Sequence, residues 1–489
     1  MIHYDITVKS KLLILFFCFW SSSVCLAERL PDLGDATEEE FPIAKENALG
    51  ADIMRRVRSS DSFVSDPDVS QYLNDLGYKL VSNSADPTRQ FEFFLVKDDA
   101  INAFALPGGY IGIYSGLILS SGNESELAGV IGHEVAHVQQ RHIARMLSAQ
   151  RKLGITSLAG LGLAILASRS GGQLAQAALA TSQAAPLQAM LSFSRDHERE
   201  ADRVGLAILN SAGFDVSSPI KFFDRLYRET RAYNAGAPGY LQTHPMTHER
   251  MADLEARLAS LDPSSIENSL HYVFIKSRVS VISEDIEVAL KKFDELAQRD
   301  NFFDQAAGRY GRTVALLSGN FEKSNPQMKI LENDLRWLES HFGSDVLVLS
   351  VLAESKFRLG LISDALRAYD FALKLYPTRF SLIKGKALAL KALGDVVGLE
   401  QFLTDVFKSS AIVSDPSLYE LRAGAYKTLG LSSAYHVDLS KLAYLNGNLD
   451  VAIRELQAAR DADDGDYYLR AQIDSRLQDL LQEKSKIEK

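Results

Sequence analysis

The string His133-Glu134-Val135-Ala136-His137 sets two imidazoles four positions apart, with a carboxylate directly after the first. On an α-helix such positions share a face, so both rings can reach one metal ion. Glu134 would then lie where its carboxylate can hold a water beside that ion. The helix has local support. Ser121 and Asn123 offer N-terminal caps, Glu124 and Glu126 suit a first turn, and Leu127, Ile131 and Val135 form an apolar i, i+4 row. Taken alone, the string also describes a helix with two solvent-facing histidines.

A catalytic zinc takes three protein ligands and keeps one position open. Ser194-Arg195-Asp196-His197-Glu198-Arg199-Glu200-Ala201-Asp202-Arg203-Val204-Gly205 supplies the third, in a helical pattern that runs through Leu206 and Ile208 and stops near Gly213. Glu198 and Asp202 are four apart and share a face. Glu198 completes a two-histidine, one-glutamate set. Asp202 can accept a hydrogen bond from the second nitrogen of a ligand histidine and so fix its tautomer. A charge-rich stretch like this one is more commonly a solvated helix face, and it gains meaning only beside the upstream string.

Together these motifs resemble the zinc endopeptidases related to the CAAX prenyl protease, the Oma-type mitochondrial protease and the HtpX-type heat-shock protease. Two further stretches fit that family. Asn102-Ala103-Phe104-Ala105-Leu106-Pro107-Gly108-Gly109-Tyr110-Ile111 is similar to its strand and turn before the active-site helix. Thr243-His244-Pro245, with Arg250 five residues beyond the proline, resembles its His-Pro element and implies that Arg250 supports the ligands from outside. The resemblance covers roughly residues 45–260 and extends to the periplasmic, β-barrel assembly-enhancing branch, which also joins a signal peptide to C-terminal helical repeats. It implies an α+β, mostly helical zincin-type metallopeptidase domain followed by an all-α tetratricopeptide-repeat solenoid.

The mechanism expected from these residues is short. One zinc ion per chain, held by His133, His137 and Glu198, lowers the pKa of a water at its open position. Glu134 takes the proton as the water attacks a peptide carbonyl, then passes it to the leaving amine. His244 is the candidate donor to the developing oxyanion. The family resemblance offers it a second role, closing the open position at rest, and a third reading has it simply fixing the turn before Pro245. His142, His197 and His248 read as bystanders.

Phe104, Leu106, Tyr110, Ile111 and Tyr114 suit strands, broken by Pro107-Gly108-Gly109. As an edge strand above the metal this segment would pair with an extended substrate through its backbone. A buried hairpin is the alternative.

Met1–Ala27 reads as a signal peptide: Lys9 and Lys11 precede the apolar run Leu12–Trp20, and Cys25-Leu26-Ala27 ends the segment before Glu28. A retained anchor is the other reading. Both cysteines, Cys18 and Cys25, fall inside it, so disulfides are not expected in the remainder. The chain carries a net charge of −10; the segment holds Asp5, Lys9 and Lys11, so the remainder carries −11. That acidic balance argues against nucleic acid and anionic lipid as main partners.

The expected divisions are 1–27 signal, 28–262 peptidase and 268–489 repeats, with the boundary near Leu261-Asp262-Pro263-Ser264-Ser265. Phe357-Arg358-Leu359-Gly360 precedes Ala365, Tyr369, Ala372 and Pro377, and Leu390-Lys391-Ala392-Leu393-Gly394 follows with its glycine 34 residues after Gly360. That is the tetratricopeptide period. Gly447-Asn448-Leu449 with Ala452, Leu456 and Ala459 looks like another unit, and Gly319-Asn320-Phe321 a looser one. Stacked hairpins of this kind present a concave surface to proteins. Between the ligand segments, Leu153–Ala167 is apolar and Ala175–Met190 alanine-rich, read as two helices hinged near Ser170-Gly171-Gly172. They are short for a membrane span and would lean on a membrane, on a substrate or into the core.

The leading expectation is a periplasmic, envelope zinc endopeptidase, peripheral to the outer membrane. By resemblance its clients are unfolded or misassembled outer-membrane proteins, its repeats dock on the barrel-assembly machinery, and a chaperone-like role accompanies proteolysis. The rivals are a membrane-anchored quality-control protease and a non-catalytic adaptor or holdase with structural zinc.

Overall fold

The computed structural model describes residues 41–151, 194–233, 239–259, 261, 269–319, 326–409, 415–462 and 464–487. The expected signal peptide, the 153–190 insert, residues 262–268 and Asn320-Phe321 lie outside the described residues.

Aromatic and β-branched residues build a small mixed sheet from β1 (Phe63–Val64), β2 (Glu92–Val96), β3 (Ala103–Leu106) and β4 (Tyr110–Tyr114), in the order β1-β2-β4-β3. β2 and β4 run parallel, while β3 lies antiparallel to β4 with Ala103 opposite Ile113 and Leu106 opposite Tyr110. Pro107–Gly109 make the single turn between them, with Gly108 and Gly109 at φ +79° and +86°, a region glycine enters without strain. The 102–113 stretch is thus a hairpin with a buried face and also the sheet's edge among the described residues. Tyr114 N–H donates to the Asn102 carbonyl at 3.0 Å, which fixes the ladder. By alternation, the backbone groups of Ala103 and Ala105 face outward from the sheet.

Helices α1 (Ile43–Arg58), α2 (Pro67–Val81), α3 (Ser115–Ser120), α4 (Glu124–Gln139), α5 (His142–Arg151), α6 (Arg195–Ser211), α7 (Ser217–Tyr233), α8 (Gly239–Thr243) and α9 (His248–Leu258) surround this sheet. α4 begins where Asn123 accepts from the Glu126 amide, while Ser121 turns back to the Leu117 carbonyl instead. α4 is packed by β3, α2, α6 and α7. Enclosure on all sides explains why its apolar residues do not form one clean stripe.

From residue 269 onward all described elements are helices. They are α10 (Leu270–Ser283), α11 (Ile286–Ala297), α12 (Phe302–Ser318), α13 (Gln327–Phe342), α14 (Val346–Arg358) and α15 (Ile362–Leu375), then α16 (Phe380–Leu393), α17 (Val396–Ser409), α18 (Pro416–Leu429), α19 (Ser432–Leu445), α20 (Leu449–Ala462) and α21 (Tyr467–Ile487). Consecutive helices from α14 to α21 pack as neighbours. Gly360, Gly394 and Gly430 each follow a helix in the left-handed conformation, at φ +76°, +79° and +73°. Such residues satisfy the last carbonyls of a helix and reverse the chain. Ala365, Tyr369 and Ala372 are buried on α15, as are Ala452, Leu456 and Ala459 on α20.

The two stretches share one continuous core, from Phe41 through Ala389. Its polar bolt lies at the start of α2. Asp66 caps that helix and receives the Arg278 guanidinium of α10 at 2.8–2.9 Å. Asp68, wholly buried, is 3.6 Å from the same guanidinium and 3.5 Å from that of Arg379, and accepts from the Ser350 hydroxyl at 3.3 Å. Charges taken out of water are tolerable only when paired, and removing one partner strands the others. Arg278→Ala is therefore expected to lower unfolding stability by about 3 kcal/mol, the lower end for a broken buried pair because Arg379 remains near Asp68. Urea denaturation of the full chain measures this. A loss below about 1 kcal/mol would be that of an exposed pair instead.

Candidate metal centre

α4 and α6 cross where each lacks a side chain. A Cβ on Gly205 would stand 3.1 Å from the His133 backbone and 3.2 Å from that of Gly132. This close approach lets the short carboxylate arms of α6 reach the imidazoles of α4. Ser194 caps α6 by accepting from the His197 amide, and Thr247 caps α9 by accepting from Arg250 N–H. The second cap places the Arg250 side chain back under α6.

Four donors meet at the crossing. Ligand atoms of His133, His137, Glu198 and His244 all lie within 4.8 Å of one another, and all four residues are buried. His133 Nε2 is 3.0 Å from His137 Nε2 and 3.5 Å from Glu198 Oε2, while His137 Nε2 is 3.4 Å from Glu198 Oε1. His244 brings Nδ1 to 2.9 Å from Glu198 Oε1 and 3.4 Å from His133 Nε2. It therefore stands as a fourth donor, with its Nε2 3.4 Å from Glu134 Oε1. Its segment is pinned: Tyr240 N–H donates to the Ile101 carbonyl at 2.9 Å, and the Tyr240 ring stacks on both Phe223 and His244.

Behind the donors lies an outer ring. Asp202 Oδ1 is 3.2 Å from His133 Nδ1, on the ring's far side from the cluster. Arg250 grips Asp202 twice, at 2.6 and 2.7 Å, reaches Glu198 Oε2 at 2.8 Å, and donates to the Pro245 carbonyl at 2.8 Å. One guanidinium thus ties α6 to the His244 turn.

The electrostatics fit a divalent cation. Three buried carboxylates, Glu134, Glu198 and Asp202, face a single buried guanidinium, Arg250, which leaves two negative charges to balance. Burial works against a charged His133, yet hydrogen bonds to Asp202 and Glu198 and their charges raise its pKa to about 9. Burial pushes the Glu134 carboxyl upward, outweighing the pull of His244 and His133. The Ala105 backbone N–H also turns toward the Glu134 carboxylate and draws its pKa down in part. Burial is overcome at Glu198, which His244, His133 and His137 hold well below the carboxylate range. Two imidazoles and a carboxylate form the nitrogen and oxygen set that zinc prefers, and the fourth donor completes four-coordination.

His142 corrects the bystander reading. It is buried, with Nδ1 2.9 Å from His137 Nδ1 and Nε2 3.1 Å from Glu200 Oε2. Sequence periodicity missed it because the helix does not continue. Arg141 takes φ +54° between α4 and α5, and this break swings residue 142 back onto residue 137. A histidine five places after a ligand histidine, just past a helix end, was the available signal. His197 stacks on the His142 ring at 4.4 Å, and His248 lies against Tyr227 outside the cluster.

Residues 67–258 match the model of peptidase family M48, a span that contains every donor above. The chain resembles that family over this span. It is 36% identical over 297 residues to the beta-barrel assembly-enhancing protease of Escherichia coli, covering 60% of each chain. It is 34% identical over 289 residues to that of Yersinia pestis, covering 59% of each. A shorter match, 28% over 185 residues, covers 38% of this chain and 51% of the mitochondrial metalloendopeptidase OMA1 of Schizosaccharomyces pombe. The matched part of the chain thus spans about three fifths of the length of the bacterial relatives.

The glycine crossing should govern affinity for zinc. Gly205→Val is expected to weaken binding roughly tenfold or more, the scale of a disturbed ligand environment. Overpacking there should also cost about 1–3 kcal/mol of stability. Chelator competition and thermal unfolding on the same preparation check both, and a variant unchanged in the two would mean that the helices do not need contact.

Proposed function

We propose that the chain is a zinc-dependent endopeptidase of the bacterial envelope, working in the periplasm on outer-membrane proteins whose β-barrels have failed to assemble. One observation carries the chemistry. Four donors from three separate elements converge beside a fully buried Glu134. Bound zinc supplies Lewis acidity, lowering the pKa of a water and polarising a carbonyl. In this reading His133, His137 and Glu198 hold the ion, with Asp202 and Arg250 setting the tautomer of His133 and the charge of Glu198. Glu134 takes the proton of the attacking water and returns it to the leaving amine. Its burial keeps the carboxylate poorly solvated, which favours it as a base.

His244 acts as a gate in this proposal. As a fourth donor it fills the position that a substrate-competent site leaves open. At the sheet's edge β3 would offer an extended client a strand to pair with beside Ala103, the Ala105 N–H being turned to Glu134, a mode that selects unfolded segments over sequences. The Ile101 carbonyl, next along that edge, is taken by Tyr240 N–H of the gate segment. A client pairing along the whole edge would displace that bond and loosen the gate. No helix among the described residues is long and apolar enough to cross a membrane, and the 153–167 segment on which the anchored-protease alternative rests lies outside them.

The residues after 268 are read as tetratricopeptide-type repeats that dock the peptidase, spanning residues 28–262, on the barrel-assembly machinery or on clients. Support comes from the left-handed glycines at hairpin turns and the 34-residue spacing of Gly360 and Gly394. The relatives named for β-barrel assembly point the same way. A chaperone-like contribution would rest on these helices and not on zinc.

Glu134→Gln should keep zinc and lose cleavage of an unfolded protein by about 10²–10⁴-fold, as expected for a missing general base. Retained cleavage would refute the mechanism. His244→Ala should keep zinc and cleave the same substrate faster than the native chain. A loss of about 10²–10³-fold, the scale of a deleted oxyanion donor, would instead make His244 a transition-state group.

A further inference from the structure

We infer that His142 is a positioning residue for the metal, the middle link of a chain that fixes His137, built from His137, His142, Glu200 and Arg145. The inference rests on the zinc-site reading above and adds residues that it does not use.

The atoms dictate the direction of the chain. His137 turns Nε2 to the donor cluster, so that nitrogen must be free of hydrogen to bind a cation. Its proton therefore sits on Nδ1, which lies 2.9 Å from His142 Nδ1. His137 donates there, and His142 accepts through a bare Nδ1. The proton of His142 is then on Nε2, 3.1 Å from Glu200 Oε2, which accepts it. Arg145 donates to the same Glu200 oxygen at 2.7 Å and closes the chain. Each of the three bonds has one donor and one acceptor only under this single assignment of tautomers. A metal-bound imidazole normally donates its second N–H to a carboxylate, a carbonyl or a water, and that partner sets ring orientation and basicity. His133 has a carboxylate, Asp202, in this place. His137 has an imidazole, with the carboxylate one step further out.

The backbone is arranged to make this contact. Arg141 is the one non-glycine residue with positive φ among the described residues, and L-residues adopt that conformation rarely. Its guanidinium donates to the Phe41 carbonyl at 2.6 Å, which holds the turn from outside. In an unbroken helix residue 142 would sit about 140° around the axis from residue 137 and could not face it. The kink therefore brings together a pair that regular structure would separate. His197 then covers the exposed face of the His142 ring.

The test compares zinc affinity of the full chain, by chelator competition, with the visible spectrum after cobalt substitution. His142→Leu removes the acceptor but keeps the bulk. It should bind zinc roughly 10–100-fold more weakly, the range for a lost partner of a ligand histidine, and shift the cobalt bands. His142→Asn sets a carbonyl oxygen near the position of Nδ1 and should recover most of that loss. Glu200→Ala, at the partly exposed end, should give a smaller loss in the same direction and serves if His142→Leu does not fold. Native affinity and spectrum in folded His142→Leu would overturn the inference, as would native values in Glu200→Ala or a His142→Asn no better than leucine. If the native chain itself bound no zinc, the zinc-site reading would fail and not this link alone.

Discussion

Two helices carrying buried charges have to touch at a point with no side chains, and everything at the metal centre follows from that contact. Glu198 and Asp202 are short-armed. They reach His133 and His137 only because Gly132 and Gly205 let α4 and α6 close to backbone contact. The same contact shuts out water, so each charge must find its balance inside the protein. Desolvating several ionised groups costs more than any one pair returns, unless the set is neutral and hydrogen-bonded throughout. Three carboxylates and one guanidinium are not neutral. Two positive charges make them so, and a divalent ion delivers both at the point where the donors converge.

This constraint explains the outer ring. Arg250 is not a ligand, yet it touches Asp202, Glu198 and the Pro245 carbonyl at once. Its planar fork suits two carboxylates better than a lysine ammonium could. It holds α6 to the His244 turn, so Glu198, Asp202 and His244 are coupled through one side chain. The same logic recurs at Asp68, where Arg278 and Arg379 surround the carboxylate and bind helix α2 to α10, α14 and the start of α16. The helices after residue 268 are thus part of the folded core and not a loosely tethered appendage.

Much of the site was legible in the chain because its spacing is that of a helix. Residues 133 and 137, and 198 and 202, are i, i+4 pairs, and any α-helix presents such pairs on one face. Asn123 at the cap and Gly213 past the end of α6 bounded those helices correctly. What sequence could not supply was anything decided by a break in periodicity or by distance along the chain. His142 fell in the first class, since its contact exists only through the left-handed Arg141. The bolt at Asp68 fell in the second, since no pattern near residue 68 announces partners at 278, 350 and 379. The edge position of β3 also emerged only from the sheet order, with the parallel pair β2 and β4 leaving β3 outside.

The two ligand histidines are supported unequally, and that asymmetry bears on how the site can move. His133 is backed directly by Asp202, itself held by Arg250, all of it buried. His137 is backed through an imidazole to Glu200, whose side chain is 27% exposed. A carboxylate near water is screened and less firmly held than one enclosed in protein. The His133 side of the centre is therefore the more firmly held one, and the His137 side the more compliant. Under the proposed gating, in which an internal donor gives way to a substrate carbonyl, the site uses both properties: a fixed frame to keep the ion, and one imidazole whose setting can yield as coordination changes. Placing compliance at His137, which lies 3.4 Å from Glu198 and beside the His244 ring, puts it next to the group that has to leave.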